Sequence, residues 1–455
     1  MWDWLKGFLS KMFRREAEKD FKIQLNDQMM PWIVKYESIS EGRPPWQSED
    51  VRSVGLAGFI NDYIAKLVTL DVSIECPDTP RGLWMQEQAD YILEVLQEKV
   101  SVAVGGCGIM FKPNGRNVDY VKPTDFIPTE YDSNGNITGC VFQSRLRKGD
   151  TTFVKLEWHR FEGEVYRISN RAYIAKGDGL GKKIELSSIP EWAAILDEVG
   201  LEGVKLPLFS YFKVPSPNRY LDTPLGLPIW HNCLKELEDF DVAWNRKAAE
   251  VYDSTHVTFL PEVTVDYQKA GETRDIKLPR FVRSVYSPDP MDSTITEHVA
   301  TLLTEQRISD LNSILSVIGM KCGLNQGTFV FNENTGLQTA TQVEADQQET
   351  IRTIERIRKQ LVKCLKQLFY ALDVIADTDT DLPKESDPVQ EINFGFQDIT
   401  YNFEEDRTNW WKYRVQGDVP AWMYYQRFEG MTEDDAKAMV EEATPKTADY
   451  DDFFS

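Results

Sequence analysis

The sequence predicts an α+β fold, in which an antiparallel β unit lies beside helices. In residues 117–175 apolar and polar residues alternate, and the turn signals Ser133–Asn136 and Phe161–Gly163 divide this stretch into hairpin-forming strands. On both sides of it, apolar residues recur every three or four positions over long stretches, which is typical of amphipathic helices. With 455 residues and 42% hydrophobic content, the chain has enough material for two or three packed units.

Three helices are predicted before the β unit. Residues 1–15 carry apolar side chains at helical spacing among basic ones. This stretch is expected to pack on its own protein, on a neighbouring subunit or on a membrane surface. Residues 50–70 and 82–103 each place apolar side chains on one broad face. The second of these helices leads through Gly106-Cys107-Gly108 into an expected strand.

A pair of long helices with a short β-rich segment between them is predicted after the β unit. The first helix is Pro228–Asp253, since proline suits a first helical turn. The second is expected to begin near Thr294, where Thr294-x-x-Glu297 has the form of a capping box, and to end at Lys321. The β-like pieces between them are His256–Leu260, Val263–Tyr267 and Phe281–Tyr286.

The two helices carry apolar stripes that are expected to pack on neighbouring helices, within one subunit or between two. The packing positions are Leu237, Phe240, Trp244, Leu311 and Leu315. One partner helix cannot cover both sides of such a projection, whereas copies joined head to tail in a closed ring could cover both. A homo-oligomeric ring is therefore one arrangement that would cover these stripes.

The loop Gly323–Ala340 is the most informative connection in the chain. Gly319 and Gly323 are expected to end the preceding helix, and Thr341-x-x-Glu344 has the form of a capping box that begins the next helix, Thr341–Ala376. Connections between helices usually have about 2–8 residues. A loop of this length between two long helices is therefore expected to be functional.

Charge and cysteine usage narrow the class of protein. The formal net charge is −22, and residues 377–455 contribute −13 of it, with 20 acidic and 7 basic residues. Proteins that grip DNA phosphates show a basic patch or stripe, and none is expected here. An acidic balance fits either a solvated surface or a conduit along which DNA slides. No apolar run approaches the about 20 residues of a membrane span, and the six scattered cysteines are expected to be reduced thiols.

No catalytic or metal-binding pattern is found, so neither an enzyme activity nor a cofactor is expected. The four histidines lack the spacing of a zinc site. Gly177–Lys183 resembles a phosphate loop, but Lys183 stands where that motif needs Ser or Thr, and a turn is expected instead. The acidic runs Glu404–Asp406 and Glu433–Asp435 are of a kind that nucleases use for divalent metals. A solvated helix start capped by Thr432 is favoured for the second run.

Two motifs around the long loop, Gly323–Phe329 and Gly336–Val343, have the form of a GLS-GTF-like turn and a K/Q-T-A-T-x-V helix start. In this respect the chain resembles the portal proteins of long-tailed, siphovirus-type phages that infect Gram-positive bacteria. Further motifs follow the order of that family over roughly residues 20–440. They are Phe126-Ile127-Pro128 with the Asn134-Gly135 turn, Tyr166–Asn170, and Thr223–Gly226 followed by a long helix.

The resemblance implies a portal fold with an α/β wing, a two-helix stem, a small β-rich clip, a tunnel loop and a long helix toward a short crown. The implied parts are the wing 1–227, stem helix 228–254, clip 255–292, stem helix 293–322, tunnel loop 323–340, long helix 341–376, and wing return with acidic tail 377–455. The tunnel loop would line the DNA channel. Its channel residues would be Asn325, Gln326, Asn332, Asn334 and Gln338.

The function that the resemblance implies is a dodecameric ring at one capsid vertex, which passes double-stranded DNA during genome packaging and ejection. The implied partners are the major capsid protein, the terminase motor and the head–tail adaptor, with no membrane. The protein would belong to the virion and assemble in the host cytoplasm. The alternative is another non-enzymatic head–tail component, such as an adaptor ring or a scaffold that binds protein rather than DNA.

Overall fold

The computed structural model shows a protein of mixed helices and sheets, so the predicted α+β class is confirmed. The structure describes residues 18, 21, 28–114, 117–176, 179–218, 222–253, 257–261, 282–285, 296–298, 302–331, 340–377, 388–396, 410–415, 419–429 and 431–443. The helix predicted in residues 1–15 lies outside them. The chain divides into two compact units, Met1–Phe396 and Gln397–Ser455.

The described elements are numbered in chain order. The helices are α1 Met30–Ser40, α2 Leu56–Val68, α3 Pro80–Gly105, α4 Leu234–Asp253, α5 Thr304–Lys321, α6 Ala340–Ala376, α7 Ala421–Glu429 and α8 Glu433–Ala443. The strands are β1 Ser73–Glu75, β2 Ile109–Asn114, β3 Asn117–Val121, β4 Phe126–Tyr131, β5 Ile137–Lys148, β6 Thr151–Glu162, β7 Val165–Lys176, β8 Gly179–Ile184, β9 Glu198–Glu202, β10 Ser210–Phe212, β11 Val257–Pro261, β12 Val282–Val285, β13 Thr296–His298 and β14 Asn393–Gly395. Short 3₁₀ helices occupy Leu186–Ser188, Pro190–Trp192, His231–Cys233 and Pro388–Glu391.

Helices α1, α2 and α3 pack together in the larger unit. The sequence predicted α2 from about residue 50, but it begins at Leu56, because Gly55 has a left-handed backbone (φ 76°) that breaks the helical path. Helix α3 begins with Pro80 after an N-cap in which the Thr79 hydroxyl accepts a hydrogen bond from Gly82 N at 3.0 Å.

The largest sheet confirms the predicted antiparallel β unit. Its strands run in the order β4-β5-β6-β7-β8, and β9 pairs with residues 165–169 of β7, whereas β8 pairs with residues 172–176. Gly135 and Gly163 lie in the two predicted hairpin turns with φ of 73° and 64°, which glycine adopts without strain. A turn was predicted over Gly177–Lys183, but Gly179–Ile184 forms β8, which pairs antiparallel with β7, so the prediction is wrong for residues 179–183, and residues 177–178 lie outside the described part.

Two smaller sheets connect distant parts of the chain. One has the order β10-β2-β3, and the other joins β1 to β14 antiparallel. In the stretch 377–455, which the resemblance assigns to the wing return and acidic tail, Asn393–Gly395 forms β14, and residues 397–409 lie outside the described part. Cys107, at the predicted entrance to β2, is buried, and its burial raises the pKa of its thiol.

Helix α6 has 37 residues and passes beside β2, β10 and α2. It was predicted as Thr341–Ala376 and begins one residue earlier, so this prediction is confirmed. One side of it is fully buried, which explains why its apolar pattern was so regular. The buried residues on this side are Ile354, Ile357, Leu361, Leu365, Leu368 and Leu372.

Helices α4 and α5 pack against each other as the predicted pair, but both begin later than expected. The chain from Pro228 makes a turn and a short 3₁₀ helix before α4 begins at Leu234. The turn contains Trp230, whose side chain is fully buried and donates a hydrogen bond from Nε1 to Asn61 Oδ1 at 2.8 Å. The prediction that this helix begins at Pro228 is therefore wrong, whereas its predicted end at Asp253 is confirmed.

Helix α5 begins at Thr304 and not near Thr294. The segment Thr296–His298 forms β13, which pairs antiparallel with β11 and is therefore a strand and not part of the helix. The start of α5 is capped from α4, because the Glu250 carboxylate accepts a hydrogen bond from Leu303 N at 2.9 Å. The capping box predicted at Thr294 does not begin this helix.

The segment between α4 and α5 contains a three-stranded sheet in the order β12-β11-β13. Strand β11 matches the predicted piece His256–Leu260, and β12 matches Phe281–Tyr286, whereas Val263–Tyr267 lies outside the described residues. Strand β12 pairs parallel with β11. The sheet includes β13, so β structure extends beyond the predicted clip boundary.

The smaller unit contains α7 and α8. Thr432 caps α8 as predicted, since its hydroxyl accepts a hydrogen bond from Asp435 N at 3.2 Å. Tyr424 is buried and packs edge-on against Trp411, with ring centroids 5.3 Å apart. Among the helices of the described ranges, none combines the length and apolarity needed to span a membrane.

Candidate functional site

The candidate site is the α5–α6 loop, residues 322–339, which corresponds to the predicted tunnel loop Gly323–Ala340. Residues 322–331 are described, and residues 332–339 are not. The described part lies at the end of the α4–α5 pair and at the start of the long helix α6. The loop therefore joins the projecting helices to the core of the larger unit.

A tight turn fixes the beginning of the loop. Gly323 has a φ of 72°, and its carbonyl accepts a hydrogen bond from Thr353 Oγ1 at 2.7 Å. Leu324 is fully buried, and its N–H donates to Gly319 O at 2.9 Å. These bonds resemble a glycine-based helix C-cap, so the predicted role of Gly323 is confirmed.

Gly319 has a different role from the one predicted. It lies inside α5, which continues to Lys321, and so it does not end the helix. A side chain at this position would begin 3.0 Å from Asn325 O, which is closer than ordinary packing allows. The absence of a side chain at Gly319 lets the loop return against the helix.

Aromatic contacts hold the next part of the loop. Phe329 packs edge-on against Phe59 and Tyr63 of α2, with ring centroids 6.0 and 5.6 Å away. Phe331 N donates to Asn312 Oδ1, and Asn312 Nδ2 donates to Phe331 O, both at 2.9 Å. Residues 323–331 are thus anchored to α2, α5 and α6.

The predicted channel residues differ in their surroundings. Asn325 is half-buried, and its N–H donates to Thr350 Oγ1 at 2.9 Å, so it belongs to the anchored part of the loop. Gln326 is exposed. Asn332, Asn334 and Gln338 lie outside the described residues, and their channel role stays a prediction.

The predicted packing residues of the helix pair lie mainly at its root. Leu237, Phe240, Leu311 and Leu315 are at most 3% exposed within this single chain. Trp244 is 36% exposed and stacks on Phe240 with ring centroids 6.2 Å apart. Toward the far end the apolar residues become exposed. These are Val251, Tyr252, Leu302 and Leu303, with 44–71% of their surface accessible.

The anchors of the helix pair are polar and were missed in the sequence. Asp241 is 3% exposed, and its two carboxylate oxygens accept hydrogen bonds from Trp46 Nε1 and Val54 N, both at 2.9 Å. An acidic residue one position after Phe240 gave no signal in the apolar pattern. Its partners are almost two hundred positions earlier in the chain, so only the fold brings them together.

Helix α6 carries five exposed basic side chains on one side, which we call the basic stripe. They are Arg352, Arg356, Lys359, Lys363 and Lys366. With 3.6 residues per turn they fall within an arc of about 80°. The expectation that the chain has no basic stripe is therefore wrong, because the net charge hides a local pattern with helical period. Glu349 and Glu355 border the stripe.

The positive charge extends beyond α6 at its C-terminal half. Lys205 and Lys213 line the same cleft as Lys363 and Lys366. Burial and the nearby charge of Lys363 lower the pKa of Lys213. Asp132 also lines the cleft, where its carboxylate is occupied by hydrogen bonds from the neighbouring turn.

A buried charged cluster lies in the largest sheet. Glu157 accepts hydrogen bonds or ion pairs from Lys112 at 2.8 Å, Lys155 at 2.9 Å and His159 Nε2 at 2.7 Å. His159 Nδ1 lies 2.9 Å from the hydroxyl of Tyr166, which accepts from Leu208 N at 3.0 Å. Every partner is occupied within the fold, so the cluster supports the sheet rather than a reaction.

No metal site is formed by the described residues, in which no group of three or more His, Cys, Asp or Glu side chains is placed to hold an ion. All six cysteines are free thiols, and Cys233 Sγ lies 3.9 Å from Cys322 Sγ at the root of the helix pair. The chain matches no protein-family model and no curated protein.

Proposed function

We propose that this chain is the subunit of a portal ring, which passes double-stranded DNA at a capsid vertex and docks a terminase motor and a head–tail adaptor. The proposal rests on the motif order in the sequence and on one structural observation. The α4–α5 pair is covered by its own chain at the root and exposes large apolar residues toward the three-stranded sheet. Apolar surface of this kind is typical of an interface with further copies.

Three further features support the proposal. The sheet between α4 and α5 has β12 and β13 at its edges, which can pair or bind partners. The α5–α6 loop is held at its base, and apart from Glu333 its polar residues are uncharged, which suits contact with moving DNA without tight binding. Helix α6 packs on the largest sheet, with Ala371 against Tyr166, and their outer surfaces can carry a capsid contact.

The first experiment determines the assembly state of the purified chain. A portal ring predicts a single species with many times the mass of one chain, and negative-stain images of rings with a central hole. A chain that stays monomeric under all assembly conditions refutes the proposal. A ring that forms only on a companion ring indicates the adaptor alternative instead.

The second experiment tests the channel role of the loop. The double substitution Asn332→Lys and Asn334→Lys adds positive charge in every copy, and each phosphate contact adds a salt-sensitive attraction. Rings should still form, but DNA packaging should slow or stall. The control is Gln47→Lys with Ser187→Lys, which adds the same charge at two exposed positions. Equal packaging rates in both variants contradict the channel role.

A further inference from the structure

We propose that the basic stripe of one copy docks against an acidic face of helix α3 on the next copy. The acidic face consists of four exposed acids on one side of α3, together with two exposed apolar residues on the same side. The acids are Glu87, Asp90, Glu94 and Glu98, and the apolar residues are Leu83 and Tyr91. This contact rests on the proposed ring and assigns the surfaces that would join its subunits.

The two surfaces match in length and in period. The acids of the acidic face extend over 12 residues of α3, about 16 Å from Glu87 to Glu98, and the basic stripe extends over 15 residues of α6, about 21 Å from Arg352 to Lys366. Both follow the helical repeat, so each forms a nearly straight line of one sign of charge. Two helices laid side by side would therefore bring opposite charges together along most of the contact.

Among the residues that the structure describes, no ion pair joins one of these surfaces to the other. The opposite sides of α3 and α6 are buried, so these helices cannot turn their charged sides toward each other. Among the described residues, Glu98 of the acidic face forms an ion pair with its neighbour Lys99. At the N-terminal end of α3 the chain uses a separate pair, Arg81 with Asp373, at 2.7 Å.

The face of α3 also has an apolar component that a partner helix would cover. Leu83 is 58% and Tyr91 63% exposed, although α3 is otherwise well packed on its inner side. An exposed tyrosine among charged residues is typical of a protein interface. The long side chains of the basic stripe have methylene stems that can lie on such residues while their charges meet the acids.

A second copy fits the basic stripe better than duplex DNA does. The whole chain has a net charge of −22, which repels a polyanion at distances beyond the local stripe. The acidic face supplies a partner of opposite sign in every copy. Because the two surfaces lie on different helices, the contact is head-to-tail and can close into a ring.

Charge reversal tests this contact in the full chain. The first variant reverses the acidic face and the second reverses the basic stripe, and a third carries both sets. The substitutions are Glu87→Lys, Glu94→Lys and Glu98→Lys in the first variant, and Arg356→Glu, Lys359→Glu and Lys363→Glu in the second. A control reverses three exposed cations on the sheet, and its substitutions are Arg147→Glu, Lys182→Glu and Lys183→Glu.

Each single set should raise the protein concentration at half-assembly by roughly tenfold to a hundredfold, because several like-charge contacts replace attractive ones. The third variant should assemble close to the wild-type concentration, and so should an equimolar mixture of the first two. The control should assemble like wild type. Circular dichroism of each variant checks that the fold is kept.

Two results overturn the contact. If the wild type forms rings and both single sets assemble at the wild-type concentration, the contact is refuted while the ring stands. If reversal of the basic stripe leaves assembly unchanged and abolishes binding of a duplex DNA probe, the stripe serves DNA instead. A wild-type chain that forms no ring at all refutes the proposed function itself, so the two failures are distinguishable.

Discussion

The substitution Glu157→Gln tests the buried charged cluster of the largest sheet. The side chain of Glu157 is 10% exposed and meets two nearly buried ammonium groups, Lys112 and Lys155. Glutamine has the same size, but it removes the negative charge and turns an N–H₂ group toward groups that can only donate. Removing one partner of a buried ion pair costs about 3–5 kcal/mol, because the other charges stay buried without compensation. We expect a loss of unfolding free energy of that size.

The assay is urea unfolding of the full chain, followed by tryptophan fluorescence at constant protein concentration. The matched control is Glu191→Gln, which removes the same charge from the exposed ion pair between Glu191 and Lys148. We expect the control to unfold at the wild-type urea concentration. If Glu157→Gln lowers the unfolding free energy by less than about 1 kcal/mol, the cluster does not stabilise the sheet in the way described.

The pH dependence gives an independent check of the same cluster. Burial alone would raise the pKa of Glu157, but Lys112, His159 and Lys155 hold it well below its usual range. A depressed carboxylate pKa stabilises the fold above the unfolded value of about 4.3, and the contribution is lost as pH falls through the folded value. The stability difference between wild type and Glu157→Gln should therefore narrow as pH falls below about 4.3. A difference that is constant down to acid unfolding would contradict this reasoning.

Burial lowers the pKa of His159, against the opposing hydrogen bond to Glu157. The folded state therefore binds a proton less readily than the unfolded chain does. Wild-type stability should begin to decline as pH falls below about 6.5, before the carboxylate is protonated.

Three further predictions concern the helix pair and its loop. In urea unfolding of the unassembled chain, Phe240→Ala should cost about 3–5 kcal/mol, because the ring is 2% exposed, whereas Val251→Ala at a 55% exposed position of the same helix should cost about 0.5 kcal/mol or less. Equal costs would contradict the assigned root of the pair. Glu250→Gln should speed hydrogen exchange at Leu303 N, because the charged acceptor that caps α5 is weakened; unchanged exchange would exclude this cap. Gly323→Ala should destabilise the chain by at least about 1 kcal/mol, since φ is 72° there, and neutral thermal unfolding would show that the turn is not required.

The sequence by itself determined the elements whose pattern is local. Alternation from β5 to β7 and the turn glycines Gly135 and Gly163 specified the hairpins, because strand period and left-handed turns depend on neighbouring residues. The apolar repeat of α6 specified nearly its whole length. The basic stripe was also readable, since its residues follow the same helical repeat. The net charge of the chain hides it, because a sum over all residues carries no information on a local surface.

Only the tertiary structure decided the features that depend on residues far apart in the chain. Thr296–His298 forms a strand because the edge of β11 is available to it, and α5 begins at Thr304 where Glu250 from α4 supplies the cap. Alternation placed Lys155, Glu157 and His159 on one face of β6, but it could not show that Lys112 and Tyr166 would bury that face. Hydrogen bonds and ion pairs of this kind are decided by which groups the fold brings within about 3 Å, and sequence period carries no information on that distance.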